Sequence, residues 1–143
     1  MTVKQYIGEF RPSKRGLGKV LGHLEAAVME IMWRQGEASV RDVYEVLLRE
    51  REIAYTTVMT IMSRLADKNI LQKEKKGLAY VYRPACSRDD FARSVVTEVI
   101  DGLLEDYAEV AFSHFVNRMC EEDEIKILEL ERIIQERQRR GDR

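Results

Sequence analysis

Residues 70–84 break the spacing that governs the chain before them. Upstream, apolar side chains recur every three to four residues. Here Ile70-Leu71-Gln72-Lys73-Glu74-Lys75 leads into Lys76-Gly77, and Leu78-Ala79-Tyr80-Val81-Tyr82-Arg83 returns, rich in aromatic and β-branched residues, until Pro84. Two short strands about a glycine-containing turn read as a hairpin. Lys75 and Lys76 stand at its tip.

The stretch before the hairpin reads as three helices. In the first, Leu21, Leu24, Val28, Ile31 and Met32 form one apolar stripe that Gly36 ends. Ser39-Val40-Arg41-Asp42 has the S-x-x-D form of a capping box, and opens a second helix to about Glu50 that buries Val43, Val46 and Leu47. The third runs from Ala54 or Tyr55 to Lys68, with Val58, Ile61, Met62 and Leu65 on one face and Asn69 as its stop. Ala54 has no side-chain acceptor, which costs about 1 kcal/mol relative to Ser or Asp at a helix start.

Three helices followed by a two-stranded hairpin is the element order of a winged helix-turn-helix. The fold class read from sequence is therefore mainly α with a small β-hairpin wing, followed by an α-helical dimerisation domain. The second and third helices pack through their apolar faces, so the third presents its other face outward, and a helix fits the major groove of DNA. That outward face carries Thr56, Thr60, Ser63 and Asp67, with Met59 and Arg64 at its margins; Thr56, Met59, Thr60 and Ser63 are expected at base edges, with a plain interface role as the alternative for Met59. Tyr55, Thr57, Arg64, Lys75 and Lys76 are expected at phosphates, with packing against the second helix as an alternative for Tyr55 and local packing for Thr57. Threonine is a mediocre helix former, so Thr56, Thr57 and Thr60 close together argue for contact rather than propensity. Thr hydroxyls and methyls can meet bases, thymine methyls or phosphates.

After Pro84 the period turns helical again. Ser87-Arg88-Asp89-Asp90 resembles a capping box, and Phe91, Val95, Val99, Leu103 and Leu104 form a long stripe. The first tail helix is expected to reach about Asp106. A second segment holds Val110, Phe112, Phe115, Val116 and Met119, and a third holds Ile125, Leu128, Ile133 and Ile134. These stripes are read as a two-fold dimer interface centred on Phe91, Val95, Val99, Leu103, Leu104, Phe112 and Phe115, with folding back onto the same domain as the alternative. The organisation is a basic arm at 1–19, a winged helix at 20–86, a dimerisation region at 87–139 and a frayed tail at 140–143. Fraying is expected from Gln135 onward.

Charge follows the same division. The net formal charge is −1, but residues 1–86 hold 15 Lys and Arg against 10 Asp and Glu, while residues 87–143 hold 9 against 15. A basic half facing a polyanion and an acidic half facing something else fits this asymmetry. In the arm, Arg11, Lys14 and Arg15 are placed to touch phosphates, with a solvated tail as the alternative.

Other classes fit poorly. No apolar run reaches the roughly 18 residues of a membrane span, and the N-terminus has no secretory h-region. Cys86 and Cys120 lie far apart, which suits a reducing cytoplasm. His23 and His114 have no nucleophile or acid at catalytic spacing, and no phosphate-cradling glycine loop occurs. No enzyme, cofactor or metal is expected. The rival reading is a winged-helix protein-interaction module, whose groove face would be apolar or acidic.

The residues also resemble the penicillinase-repressor (BlaI/MecI) family. LEAAVMEIMW (Leu24 to Trp33) resembles its first helix. AYTTVMTIMSRLADKNIL (Ala54 to Leu71) resembles its recognition helix and first wing strand, and YVYRPA (Tyr80 to Ala85) the second strand. HFVNR (His114 to Arg118) with EEDEI (Glu121 to Ile125) resembles its dimerisation tail. The resemblance covers about residues 20–137, and the T-T-V-M-T core is most like actinobacterial-type members. It implies a cytoplasmic homodimer on a pseudo-palindromic operator in double-stranded DNA, repressing neighbouring genes such as those of β-lactam or cell-envelope stress responses. It further implies a regulatory membrane protease cutting the tail, here at His114–Phe115, where staphylococcal-type members carry Asn before the Phe. The cysteine-rich C-terminal motif of a copper-responsive branch is missing from QERQRRGDR.

Overall fold

The computed structural model describes residues 10–11, 20–122 and 124–141. Most of the N-terminal arm, with Lys14 and Arg15, lies outside the described residues. The chain divides into two compact units, one ending at Glu98 and one beginning at Val99.

The first unit opens with α1 (His23–Gln35), α2 (Val40–Leu48) and α3 (Tyr55–Asp67). Each boundary has a local cause. Glu25 reaches back to accept from the Gly22 amide at 3.2 Å, at the start of α1. Gly36, at φ 79°, ends that helix in a backbone region that a side chain would strain. Ser39 and Asp42 form the capping box expected for α2, the Asp42 amide donating to Ser39 Oγ at 3.2 Å and the Ser39 amide to Asp42 Oδ2 at 2.9 Å. Asn69 terminates α3 at φ 61°, where the Asn69 amide donates to the Ala66 carbonyl and the Ile70 amide to the Leu65 carbonyl. Those two bonds are a Schellman motif, and the buried Leu65 and Ile70 flank it as such a motif favours.

The three helices meet through Val28, Met29 and Met32 of α1, Val43 and Leu47 of α2, and Val58, Met62 and Leu65 of α3, all without exposed surface. Side chains of this kind contribute about 1.5–3 kcal/mol each when fully buried. Met29 joins this core although it was not part of the stripe read from sequence.

The wing is an antiparallel pair, β1 (Leu71–Lys76) and β2 (Ala79–Pro84), in register from Leu71 opposite Pro84 to Lys76 opposite Ala79. Gly77, at φ 64°, takes the first of the two turn positions, as a tight hairpin that follows strand twist requires. Ala38, just before α2, bridges Tyr82 through amide-to-carbonyl bonds of 3.1 and 2.8 Å. The wing root is thereby tied to the helices, with Leu71 and Tyr82 buried.

Next comes α4 (Arg88–Glu122), which has non-helical backbone angles at Tyr107, one residue past the helix end expected at Asp106. Its start is capped by Ser87, whose Oγ accepts from the Asp90 amide at 3.1 Å. The early turns of α4 correct one expectation. Phe91, assigned from sequence to a dimer interface, is 1% exposed and part of the winged-helix core. Its ring centroid lies 5.7 Å from that of Trp33, whose indole N–H donates to the Cys86 carbonyl at 2.9 Å. Val95 also packs against this core. The first unit therefore extends past Cys86.

In the second unit the later residues of α4 are followed by α5 (Glu124–Gly141). That helix includes the polar stretch from Gln135 to Gly141. An Arg132–Glu136 pair at 2.8 Å spans one turn, and Arg139 and Arg140 complement the helix dipole at its end. Among the described residues of this unit none is fully buried.

Candidate nucleic-acid interface

The phase of α3 decides what it shows to its surroundings. Val58, Ile61, Met62 and Leu65 point into the core, so Thr56, Met59, Thr60 and Arg64 are exposed on the other side, with Thr57 and Ser63 half-buried at the margins. Apart from its half-buried margins, the face expected to read bases thus stands free. Thr60 Oγ1 donates to the Thr56 carbonyl at 2.9 Å. With that proton committed to the helix, Thr60 has acceptor lone pairs and a methyl group left to offer an incoming base. Tyr55 is 44% exposed and meets Tyr44 of α2 edge-on, with ring centroids 5.5 Å apart. Both the packing role and an outward hydroxyl are compatible with that geometry.

The start of α3 carries no side-chain cap, as the sequence implied for Ala54. Beside it runs an open groove of about 710 Å³ lined by Gly22, His23 and Glu25 from the start of α1 and by Thr56, Thr57, Thr60 and Arg64 from α3. Arg51, in the connection leading into α3, places Nη1 2.7 Å from His23 Nε2. Lys68 pairs with Glu25 at 3.2 Å, so the one carboxylate that lines the groove among the described residues is matched.

On the wing, Lys75 is exposed as expected, whereas Lys76 is held by Glu37 at 2.6 Å. Arg83 Nη2 lies 3.0 Å from the other Glu37 oxygen. The hydrogen bond from Lys76, with that from Arg83, outweighs desolvation and holds the Glu37 carboxyl below its ordinary range. Lys73 reaches over the Tyr80 ring, 4.2 Å from its centroid, and so keeps its ammonium on one face of the hairpin. Sequence reading did not find Glu37, Lys73, His23 or Arg51 as members of this surface. His23 and Arg51 are 28 positions apart, and only the tertiary fold joins them.

Elsewhere the assigned residues separate. Leu103, Leu104, Phe112 and Phe115 are exposed, and with Ile100 and Ala111 they line an apolar hollow of about 250 Å³. Val99 is half-buried. The His114–Phe115 bond lies inside α4, so a protease would need that turn unwound to reach it. Among the described residues no group of His, Cys, Asp and Glu is arranged to hold a metal ion, and no helix is long and apolar enough to cross a membrane. Cys86 and Cys120 are exposed, free thiols. Partial burial, with the nearby Asp90 carboxylate, pushes the Cys86 thiol up.

The family model for the penicillinase repressor matches residues 21–136. The chain is similar to the transcriptional regulator BlaI of Mycobacterium tuberculosis, 38% identical over 102 residues that cover 69% of this chain and 73% of the relative. It is also similar to the penicillinase repressor of Bacillus licheniformis, 27% identical over 67 residues covering 47% of this chain and 52% of that one. A solution structure of the Bacillus licheniformis BlaI monomeric form in complex with the blaP half-operator aligns with a TM-score of 0.44 and 26% identity, covering 49% of this chain and 85% of that one. With the family match spanning both units, the chain belongs to the penicillinase repressor family of DNA-binding, winged-helix transcriptional repressors.

Proposed function

We propose that this chain is a homodimeric repressor that inserts α3 into the major groove of a pseudo-palindromic operator. The observation that carries the reading is the split of α3 into a fully packed apolar face and a free face of Thr56, Met59, Thr60 and Arg64. Thr56, Met59, Thr60 and Ser63 meet base edges. Tyr55, Thr57, Arg64 and Lys75 meet phosphates, and Lys76 joins them once its pairing with Glu37 gives way. A protein-interaction winged helix would show an apolar or acidic face there, and this one is hydroxyl-rich and flanked by cations.

Dimerisation is supported by the second unit. A helical pair that buries none of its described side chains fully, yet exposes Leu103, Leu104, Phe112 and Phe115, has too much apolar surface to stand alone in water. A second copy with the same hollow covers it by two-fold symmetry and presents two copies of α3. Family membership makes β-lactam or cell-envelope stress genes the first targets to examine, and cutting at His114–Phe115 by a membrane protease the first release mechanism.

Selection of bound duplexes from a random pool tests the reading. Recovery of two inverted half-sites, with centres about 10 base pairs or a multiple apart, supports it. Recovery of no enriched sequence contradicts it.

A further inference from the structure

Beyond α3 and the wing, a third cationic element borders the same surface. We infer that His23 and Arg51, together with the uncapped first turn of α3, form a seat for one backbone phosphate of the bound duplex. The inference rests on the proposed insertion of α3 and adds a contact that neither the recognition face nor the wing supplies.

The placement argues for an anion. His23 lines the groove whose other wall is Thr56, Thr57, Thr60 and Arg64, and Arg51 stands 2.7 Å from its Nε2. Several neighbouring cations of this unit have carboxylate partners: Lys68 with Glu25, Lys76 and Arg83 with Glu37, Arg88 with Glu30. Among the described residues no carboxylate pairs with Arg51 or Arg64. Arg51 meets an imidazole nitrogen instead, and a guanidinium has five N–H donors, so most of them stay available. The α3 start contributes amides that Ala54 cannot cap, at the positive end of the helix dipole. Glu25 is the acidic group in the groove, and Lys68 and the Gly22 amide already occupy it.

A duplex that admits α3 to its major groove brings a phosphate strand along each side of the helix. The strand on the α1 side passes this groove. A phosphate there meets Arg51 at its fork geometry, which suits phosphate oxygens better than a lone ammonium does. The contact reads no base, so it strengthens binding to every sequence equally.

Two substitutions separate this role from a structural one. His23→Glu puts an acid at the first position of α1, where the helix dipole favours it, and gives Arg51 a carboxylate partner. The thermal midpoint should therefore hold or rise while DNA affinity falls several-fold. Arg51→Gln removes the charge, and Arg51→Lys keeps it. Binding to a mixed-sequence duplex is measured by fluorescence anisotropy across a series of KCl concentrations. In His23→Glu and Arg51→Gln the slope of log affinity against log salt should be shallower by about one. Arg51→Lys should keep the slope, as should Arg132→Gln in the second unit. Unchanged slopes in both His23→Glu and Arg51→Gln, with wild type bound normally, overturn the phosphate seat and leave the repressor reading intact. A wild type that binds no duplex overturns both.

Discussion

The Glu37 carboxylate holds Lys76 at 2.6 Å and so ties the tip of β1 to the connection between α1 and α2. Arg83 on β2 joins the same carboxylate, which therefore braces both wing strands and occupies two cations of the hairpin. Glu37→Gln leaves Arg83 its contact with Glu74 at 3.8 Å and should release Lys76. Its affinity for mixed-sequence DNA should rise, with a salt slope steeper by about one. Anisotropy titrations in KCl check this, and a fall in affinity would show that bracing outweighs masking.

The same carboxylate sets an acid limit on the wing. Its folded value is lowered, so its contribution is present above the ordinary carboxylate range and is lost as pH falls through the lowered value. Protection of the β2 amides in hydrogen exchange should therefore drop on the acid side in wild type. In Glu37→Gln it should be low already at neutral pH.

Phe91 and Leu103 stand on the same apolar spacing of α4 but belong to different surfaces. Phe91→Ala removes a ring from the winged-helix core and should cost about 3–5 kcal/mol in denaturant unfolding. Leu103→Glu places a charge on the exposed hollow. It should leave the first unit folded, shift sedimentation from dimer to monomer and abolish tight operator binding. A monomeric variant that binds the operator as tightly as wild type would contradict the two-fold arrangement.

Asn69 holds a left-handed backbone at φ 61°. Asn69→Gly should be tolerated, while Asn69→Val should lose about 1–2 kcal/mol, because a Cβ-branched residue resists that region. Thermal unfolding of the two variants compares them directly.

Much of this architecture is written in short-range signals. Ser39 and Asp42 lie three residues apart and cap one helix start; Asn69 and Gly77 mark a stop and a turn by their own backbone preferences. The free face of α3 follows from the spacing of Val58, Ile61, Met62 and Leu65. What local pattern could not show is where a continuous stripe changes partner. Phe91 through Leu104 repeats evenly, yet its first part meets Trp33 and the core and its later part is open, because packing against α1 is a tertiary event. Tyr82 bridging Ala38, Arg51 meeting His23, and Glu37 gathering Lys76 and Arg83 are likewise pairings across long chain separations. The break at Tyr107 has no proline or glycine at the site to announce it.

The central claim is that the polar side of α3 reads a duplex. It is tested most directly by titrating Thr56→Ala and Thr60→Ala against the selected operator and against a mixed-sequence duplex at one salt concentration. Loss of a base contact should weaken operator binding by about 1–3 kcal/mol, while affinity for the mixed-sequence duplex stays within about two-fold, since phosphates carry that binding. Operator affinity unchanged in both variants would contradict the account.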